Sequence, residues 1–164
     1  MTYQPYLIKL VDMLSNVMLL EKYGNVRRAV GRMAVHYLRE LGFGPKQLVA
    51  LRLIGKRKQC TMAEIAEGTN SDKASVTRVV SSLVDAGWLQ REYGVSDRRQ
   101  IFITLSTKGS RNFSKIEKTY EQIADHLASV LEPKEQKELL RLLSKIENGL
   151  GTESCKITET NVES

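Results

Sequence analysis

Two cysteines, two histidines and three prolines are all this 164-residue chain has of those residue types, and each scarcity removes a class of protein. Cys60 and Cys155 are too few and too far apart for a disulfide framework, and neither pairs with His36 or His126 at a metal-ligand spacing. No metal and no cofactor is expected. The chain also lacks a Ser/His/acid set, a paired-carboxylate motif and a phosphate-binding glycine loop, so an enzyme is not expected. No apolar run approaches the ~20 residues that span a bilayer, so no membrane partner is expected. The start, MTYQPYLIKLVDMLSNV, has no basic opening and carries Asp12 within its apolar part, which does not read as a signal peptide. A cytoplasmic protein is expected. Aromatics are also sparse, with one Trp and three Phe mostly at buried-pattern positions, so the stacking platforms of single-stranded RNA recognition are missing.

What is present is positive charge in a particular place. Net charge is +6, and residues 44–106 hold ten Lys and Arg against six Asp and Glu. That bias permits a polyanionic partner for the middle of the chain. The hydrophobic content of 41% is enough for a core.

Periodicity divides the chain. Leu7, Leu10, Leu14 and Val17, then Val26, Val30, Met33 and Tyr37, predict one long helix over 6–41. Gly42-Phe43-Gly44-Pro45 ends it and opens a second helix over 45–56 with Leu48, Leu51 and Ile54 inward. Gly55-Lys56-Arg57-Lys58-Gln59 reads as a short basic loop. Thr61 and Glu64 match a capping box, opening a helix of about two turns that ends at Gly68. Thr69-Asn70-Ser71 is a polar turn in which Asn tolerates the left-handed conformation. A further helix over 72–86 places Val76, Val79, Val80 and Leu83 inward and closes at Gly87. Residues 88–92 and 101–105 then read as two strands of a β-hairpin.

Helical spacing resumes at Phe113, Ile116, Tyr120, Ile123, Leu127 and Val130, a heptad-like seam. After Glu132-Pro133 one more helix carries Leu139, Leu142, Leu143 and Ile146. The Gly, Thr, Ser, Glu and Asn of 151–164 predict a mostly disordered tail.

The specific features are Ala74-Ser-Val-Thr-Arg-Val-Val80, the run Leu83 to Leu89, and Asp97-Arg-Arg-Gln-Ile-Phe-Ile-Thr-Leu-Ser-Thr-Lys-Gly109. Together, at this spacing, they resemble the multiple-antibiotic-resistance regulator (MarR) family over about 45–109. The resemblance implies a mainly α fold with a small β-hairpin: a winged helix-turn-helix lobe flanked by long dimerisation helices. It divides the chain into an N-terminal dimerisation helix (1–43), the DNA-binding lobe (44–106), C-terminal dimerisation helices (107–150) and the tail (151–164). The implied function is a sequence-specific regulator of transcription, a repressor that binds double-stranded DNA as a homodimer on a palindromic operator.

The residues agree with that reading. Lys73, Ala74, Ser75, Thr77 and Arg78 lie on the outer face near the start of the 72–86 helix, where a recognition helix meets the major groove. Small side chains let the helix sit deep, Ala74 and Thr77 can meet thymine methyls, and Arg78 can reach guanine or phosphate. In the hairpin loop, Arg99 is the candidate for a narrow minor groove, Arg98 for a phosphate, and Asp97 for holding the loop arginine. Thr61 and its helix start could take another phosphate. Lys56, Arg57 and Lys58 fit either a phosphate contact or a solvated basic loop.

Members of the family often bind small aromatic or anionic effectors between lobe and dimer helices. His36, Tyr37, Arg52 and Trp88 could line such a cavity, or be ordinary core and surface residues. Cys60 reads as an inert thiol, with a redox sensor as the alternative. The rival reading is a winged-helix module that binds protein instead of DNA; its loop would not need Arg98 and Arg99.

Overall fold

The computed structural model describes the backbone of residues 4–94 and 100–160, and the side chains of 15–94 and 100–150. The chain divides into two units, Met1–Ile123 and Ala124–Ser164.

In the first unit, α1 (Gln4–Leu38) runs into a 3-10 turn, Arg39–Leu41, and the chain reverses at Gly42 with φ +73°. Pro45 occupies the first turn of α2 (Pro45–Arg57), and the Gln47 side chain accepts from the Gly44 amide at 3.1 Å. Then follow β1 (Gln59–Cys60), α3 (Met62–Gly68), α4 (Lys73–Asp85), β2 (Leu89–Tyr93), β3 (Ile101–Leu105) and α5 (Thr107–Ala128), whose residues from Ala124 on belong to the second unit. The helices fall where the apolar spacing predicts them. One long apolar cluster holds them: Leu38, Leu51, Ile54, Ile65, Val80, Leu83, Ile103 and Ile116 are all at or near zero exposure. Each such side chain contributes ~1.5–3 kcal/mol by leaving water.

The sheet departs from the two-stranded expectation. It has three antiparallel strands in the order β1-β3-β2. Gln59 pairs with Thr104 and Cys60 with Ile103, so the stretch read as a basic loop over 55–59 is the last turn of α2 followed by an edge strand. Lys58 makes the corner with φ +72°. A strand of two residues has no period to display; only its partner defines it. The β2–β3 hairpin forms as read, with β2 starting one residue later than expected: Leu89 lies opposite Leu105 and Tyr93 opposite Ile101.

In the second unit, α6 (Pro133–Thr160) is opened by Glu135, whose carboxylate accepts from the Glu132 amide at 2.8 Å. Gln136 Nε2 donates to the Ala128 and Leu131 carbonyls, both at 3.0 Å, closing the preceding turn. The helix continues through 151–160, where composition had predicted a disordered tail. Once begun, a helix extends at one hydrogen bond per residue, and no proline follows Pro133 to stop it. Leu139, Leu142, Leu143 and Ile146 are exposed on α6, as are Val17, Met18, Leu20 and Tyr23 on α1.

Candidate nucleic-acid interface

The α3-turn-α4 segment is built by local capping. At the start of α3, Thr61 Oγ1 accepts from the Glu64 amide at 3.3 Å, while the Glu64 carboxylate accepts from the Thr61 amide at 2.7 Å and its hydroxyl at 2.9 Å. Those donors hold the Glu64 carboxyl below its ordinary range. The capping box forms as read, with a consequence for the phosphate role considered for Thr61. Its amide and hydroxyl both already serve a carboxylate, so an incoming anion would first have to displace Glu64.

The turn is equally well satisfied. Asn70 adopts φ +46°, the left-handed conformation expected of it. Thr69 Oγ1 donates to the Ile65 carbonyl at 2.7 Å, and Ser71 Oγ to that of Thr69 at 3.1 Å. The polar side chains of the turn thus close on the backbone they interrupt.

At α4 the cap is Asp72, which the sequence reading did not single out. Its carboxylate accepts from the Ser75 amide at 2.8 Å, and that bond lowers its pKa. An Asp just before an apolar-periodic run is an N-cap signal that could have found it. The cap directs the first turn of α4. Lys73, Ala74, Thr77 and Arg78 are exposed together, whereas Val76, Val80 and Leu83 are buried on the opposite face. Thr77 Oγ1 donates back to the Lys73 carbonyl at 2.8 Å, a bond within its own helix. Arg78 has no ion-pair partner among the described residues. Ser75 differs from its neighbours: half-buried, it lines a cavity of about 180 Å³ with Val49, Ile65, Ser71 and Val79.

Asp97, Arg98 and Arg99 lie outside the described residues. The base of their loop is closed by the Gly94 amide donating to the Gln100 carbonyl at 2.9 Å.

The four residues considered for an effector cavity sit apart in role. His36 is exposed and meets Tyr37 edge-on, ring centroids 6.0 Å apart. Arg52 Nε donates to Glu117 Oε1 at 2.5 Å, and its guanidinium lies 3.2 Å from the centre of the Tyr120 ring. Trp88 is buried, edge-on to Phe43 at 5.2 Å. None of the four lines either described cavity, the second of which, about 220 Å³, lies among Lys58, Glu92, Thr104 and Phe113. The partner that sequence reasoning missed is Glu117, which also takes Lys56 at 3.4 Å and is held below the ordinary carboxyl range chiefly by Arg52.

Cys60 is wholly buried on β1, and burial pushes its thiol pKa up, away from reactive thiolate. Among the described residues no group of His, Cys, Asp and Glu is placed to hold a metal ion, and no helix is long and apolar enough to cross a membrane.

Comparison with known proteins places this geometry. Residues 44–101 match the MarR family profile. A curated relative, the HTH-type transcriptional regulator BilQ of Clostridium symbiosum, is 31% identical over 93 residues, covering 57% of this chain and 65% of its own length. The HTH-type transcriptional repressor YetL of Bacillus subtilis is 26% identical over 111 residues, 62% of this chain and 66% of its own. The chain thus spans just under two thirds of either relative. A crystal structure of a mutant MarR from E. coli complexed with operator DNA superposes with a TM-score of 0.74 at 23% identity, over 80% of this chain and 95% of that one. The transcriptional regulator SlyA gives the same TM-score at 18% identity, over 82% and 95%. At those identities the likeness is one of fold: a mainly helical winged helix with a small antiparallel sheet.

Proposed function

We propose that this chain, whose residues 44–101 match the MarR family profile, is a transcriptional regulator that binds double-stranded DNA sequence-specifically, a repressor acting as a homodimer on a palindromic operator. The observation that supports this reading best is the first turn of α4. Lys73, Ala74, Thr77 and Arg78 stand exposed at the end of a helix whose other face is locked into the core. That end of a recognition helix carries the base contacts. Arg78 reads a base or grips a phosphate, Ala74 and Thr77 meet thymine methyls, and Ser75 packs at the rim. Asp97, Arg98 and Arg99 form the wing contact with backbone and minor groove, and Thr61 meets a phosphate once Glu64 has moved aside.

Residues 44–106 are the reading lobe in this proposal, and 1–43 and 107–150 the pairing elements. Support for pairing comes from the apolar side chains that α1 and α6 leave in water, Leu20 at 72% and Leu140 at 67% exposed. Exposed apolar surface of that extent is costly for an isolated chain. A small anionic or aromatic effector would act through His36, Tyr37, Arg52 and Trp88, and an anion at Arg52 would have to compete with Glu117.

The test is selection of duplexes from a random pool by the intact chain, followed by footprinting and sedimentation. The expected result is one enriched palindrome with half-sites about one helical turn apart and two chains per duplex. A pool that remains unenriched would overturn the proposal and leave a protein-binding winged helix as the better account.

A further inference from the structure

The Ser106-Thr-Lys-Gly109 segment has no part in the DNA contacts proposed above, yet it holds the end of α4. That helix closes with Gly87 at φ +73°, the Trp88 amide donating to the Leu83 carbonyl at 2.8 Å and the Gly87 amide to that of Val84 at 2.9 Å. This pairing satisfies two of the carbonyls a helix end leaves open. The next carbonyls along the chain are taken by residues at the start of α5. Lys108 Nζ donates to the Ala86 carbonyl at 2.8 Å. Ser106 Oγ donates to that of Gly87 at 2.6 Å while accepting from the Gly109 amide at 3.0 Å, and the Ser106 amide donates to that of Trp88, also at 3.0 Å. The Lys108 ammonium also lies 4.7 Å from the centre of the Trp88 ring, and its stem passes over Gly87.

We infer that Lys108 is a positioning residue for DNA reading: it ties the C-terminal end of the recognition helix to α5 and does not itself touch DNA. A cation at a helix C-terminus meets the negative end of the helix dipole, and here the cation comes from a different helix, so the favourable contact is also a strut. Over the 13 residues of α4 the strut stands about 18 Å from Lys73, at the end opposite the one that would read bases. Without it, α4 keeps its buried face but loses a charged contact that sets its direction relative to α5. Ordering that direction again on DNA would weaken binding.

The proposal rests on the DNA-binding reading, and the test separates the two. The probe is the duplex the intact chain selects from a random pool. Lys108→Met should bind it roughly three- to tenfold more weakly, the size expected for a charged hydrogen bond and a dipole contact on a partly exposed surface. Its salt slope should stay that of the parent, because no phosphate contact is lost. Lys108→Arg, which keeps the cation, should restore affinity. Trp88 is the only tryptophan, so its emission without DNA reports the strut directly: Lys108→Met should change it, and Lys108→Arg should largely keep the parent signal. Should Lys108→Met melt below the assay temperature, Lys108→Gln carries the same comparison. Parental affinity in the Met or Gln variant overturns the proposal, as does a salt slope lower by about one unit, which would make Lys108 a phosphate contact. If the parent selects no duplex, the DNA reading fails instead, and unchanged Trp88 emission would then remove the strut independently.

Discussion

Arg52 on α2 and Glu117 on α5 are 65 positions apart in the chain and are joined by two hydrogen bonds, Nε to Oε1 at 2.5 Å and Nη2 to Oε2 at 3.4 Å. Tyr120 lies beneath the guanidinium and Lys56 on the other side of the carboxylate. The pair fastens the first helix of the winged lobe to α5 through groups that are only partly covered, with 18% and 25% of the two side chains exposed.

The acid dependence of this tie has a definite sign. Glu117 is held below its unfolded pKa of about 4.3, so its contribution is complete above that value and disappears as pH falls through the lower folded value. Glu117→Gln should therefore cost about 1 kcal/mol at neutral pH, between exposed and buried ion-pair values. Parent and variant should converge in acid. Urea unfolding of both across that range is the measurement, and a gap that stays constant with pH would show that the Gln loses packing instead of charge.

Gly109 and Gly55 are both required by close approach, and they should differ in cost. A Cβ on Gly109 would fall on the backbone carbonyl of Trp88, which cannot turn aside; on Gly55 it would fall on the Phe113 ring, which can. Gly109→Ala is expected to destabilise by about 3 kcal/mol and Gly55→Ala by about 1–2, within the range for overpacked cores. Thermal and denaturant unfolding give the order, and the reverse order would contradict the geometry.

Glu64 puts a negative charge at the helix start where a phosphate contact is proposed. Replacing it by Gln keeps an acceptor for Thr61 but removes the charge, so DNA affinity should rise and the salt dependence steepen. Titrating parent and Glu64→Gln with the selected duplex across a salt series tests this. Identical affinity and slope would mean that the α3 start stays clear of the backbone.

The two arginines of the proposed interface should fail differently. Arg78→Ala should cost ~1–3 kcal/mol, mainly on the selected duplex, if it reads a base. Arg99→Ala should weaken binding on many sequences and lower the salt slope by roughly one unit. Asp97→Ala should act as a milder Arg99→Ala. If Arg99→Ala changes neither affinity nor slope, the wing is off the DNA, and the protein-binding alternative gains.

What the sequence by itself determined about this protein is what depends on near neighbours. The capping box of Thr61 and Glu64, the left-handed Asn70, the buried Val76–Val80–Leu83 stripe and the two strands of the hairpin were legible because the interacting groups lie a few residues apart or alternate with a fixed period. Tertiary structure alone decided the rest. Gln59 and Cys60 are a strand only because Thr104 and Ile103 lie beside them. Arg52, considered for an effector, is occupied by a carboxylate that no spacing rule connects to it. Ser75 shares α4 with Ala74 yet turns into a cavity, because the turn and α2 cover that side. Lys108 looks like any solvated lysine until the end of α4 comes within 2.8 Å of it. Pairing across the chain depends on where folding places the second partner, and a local pattern holds no information about that distance.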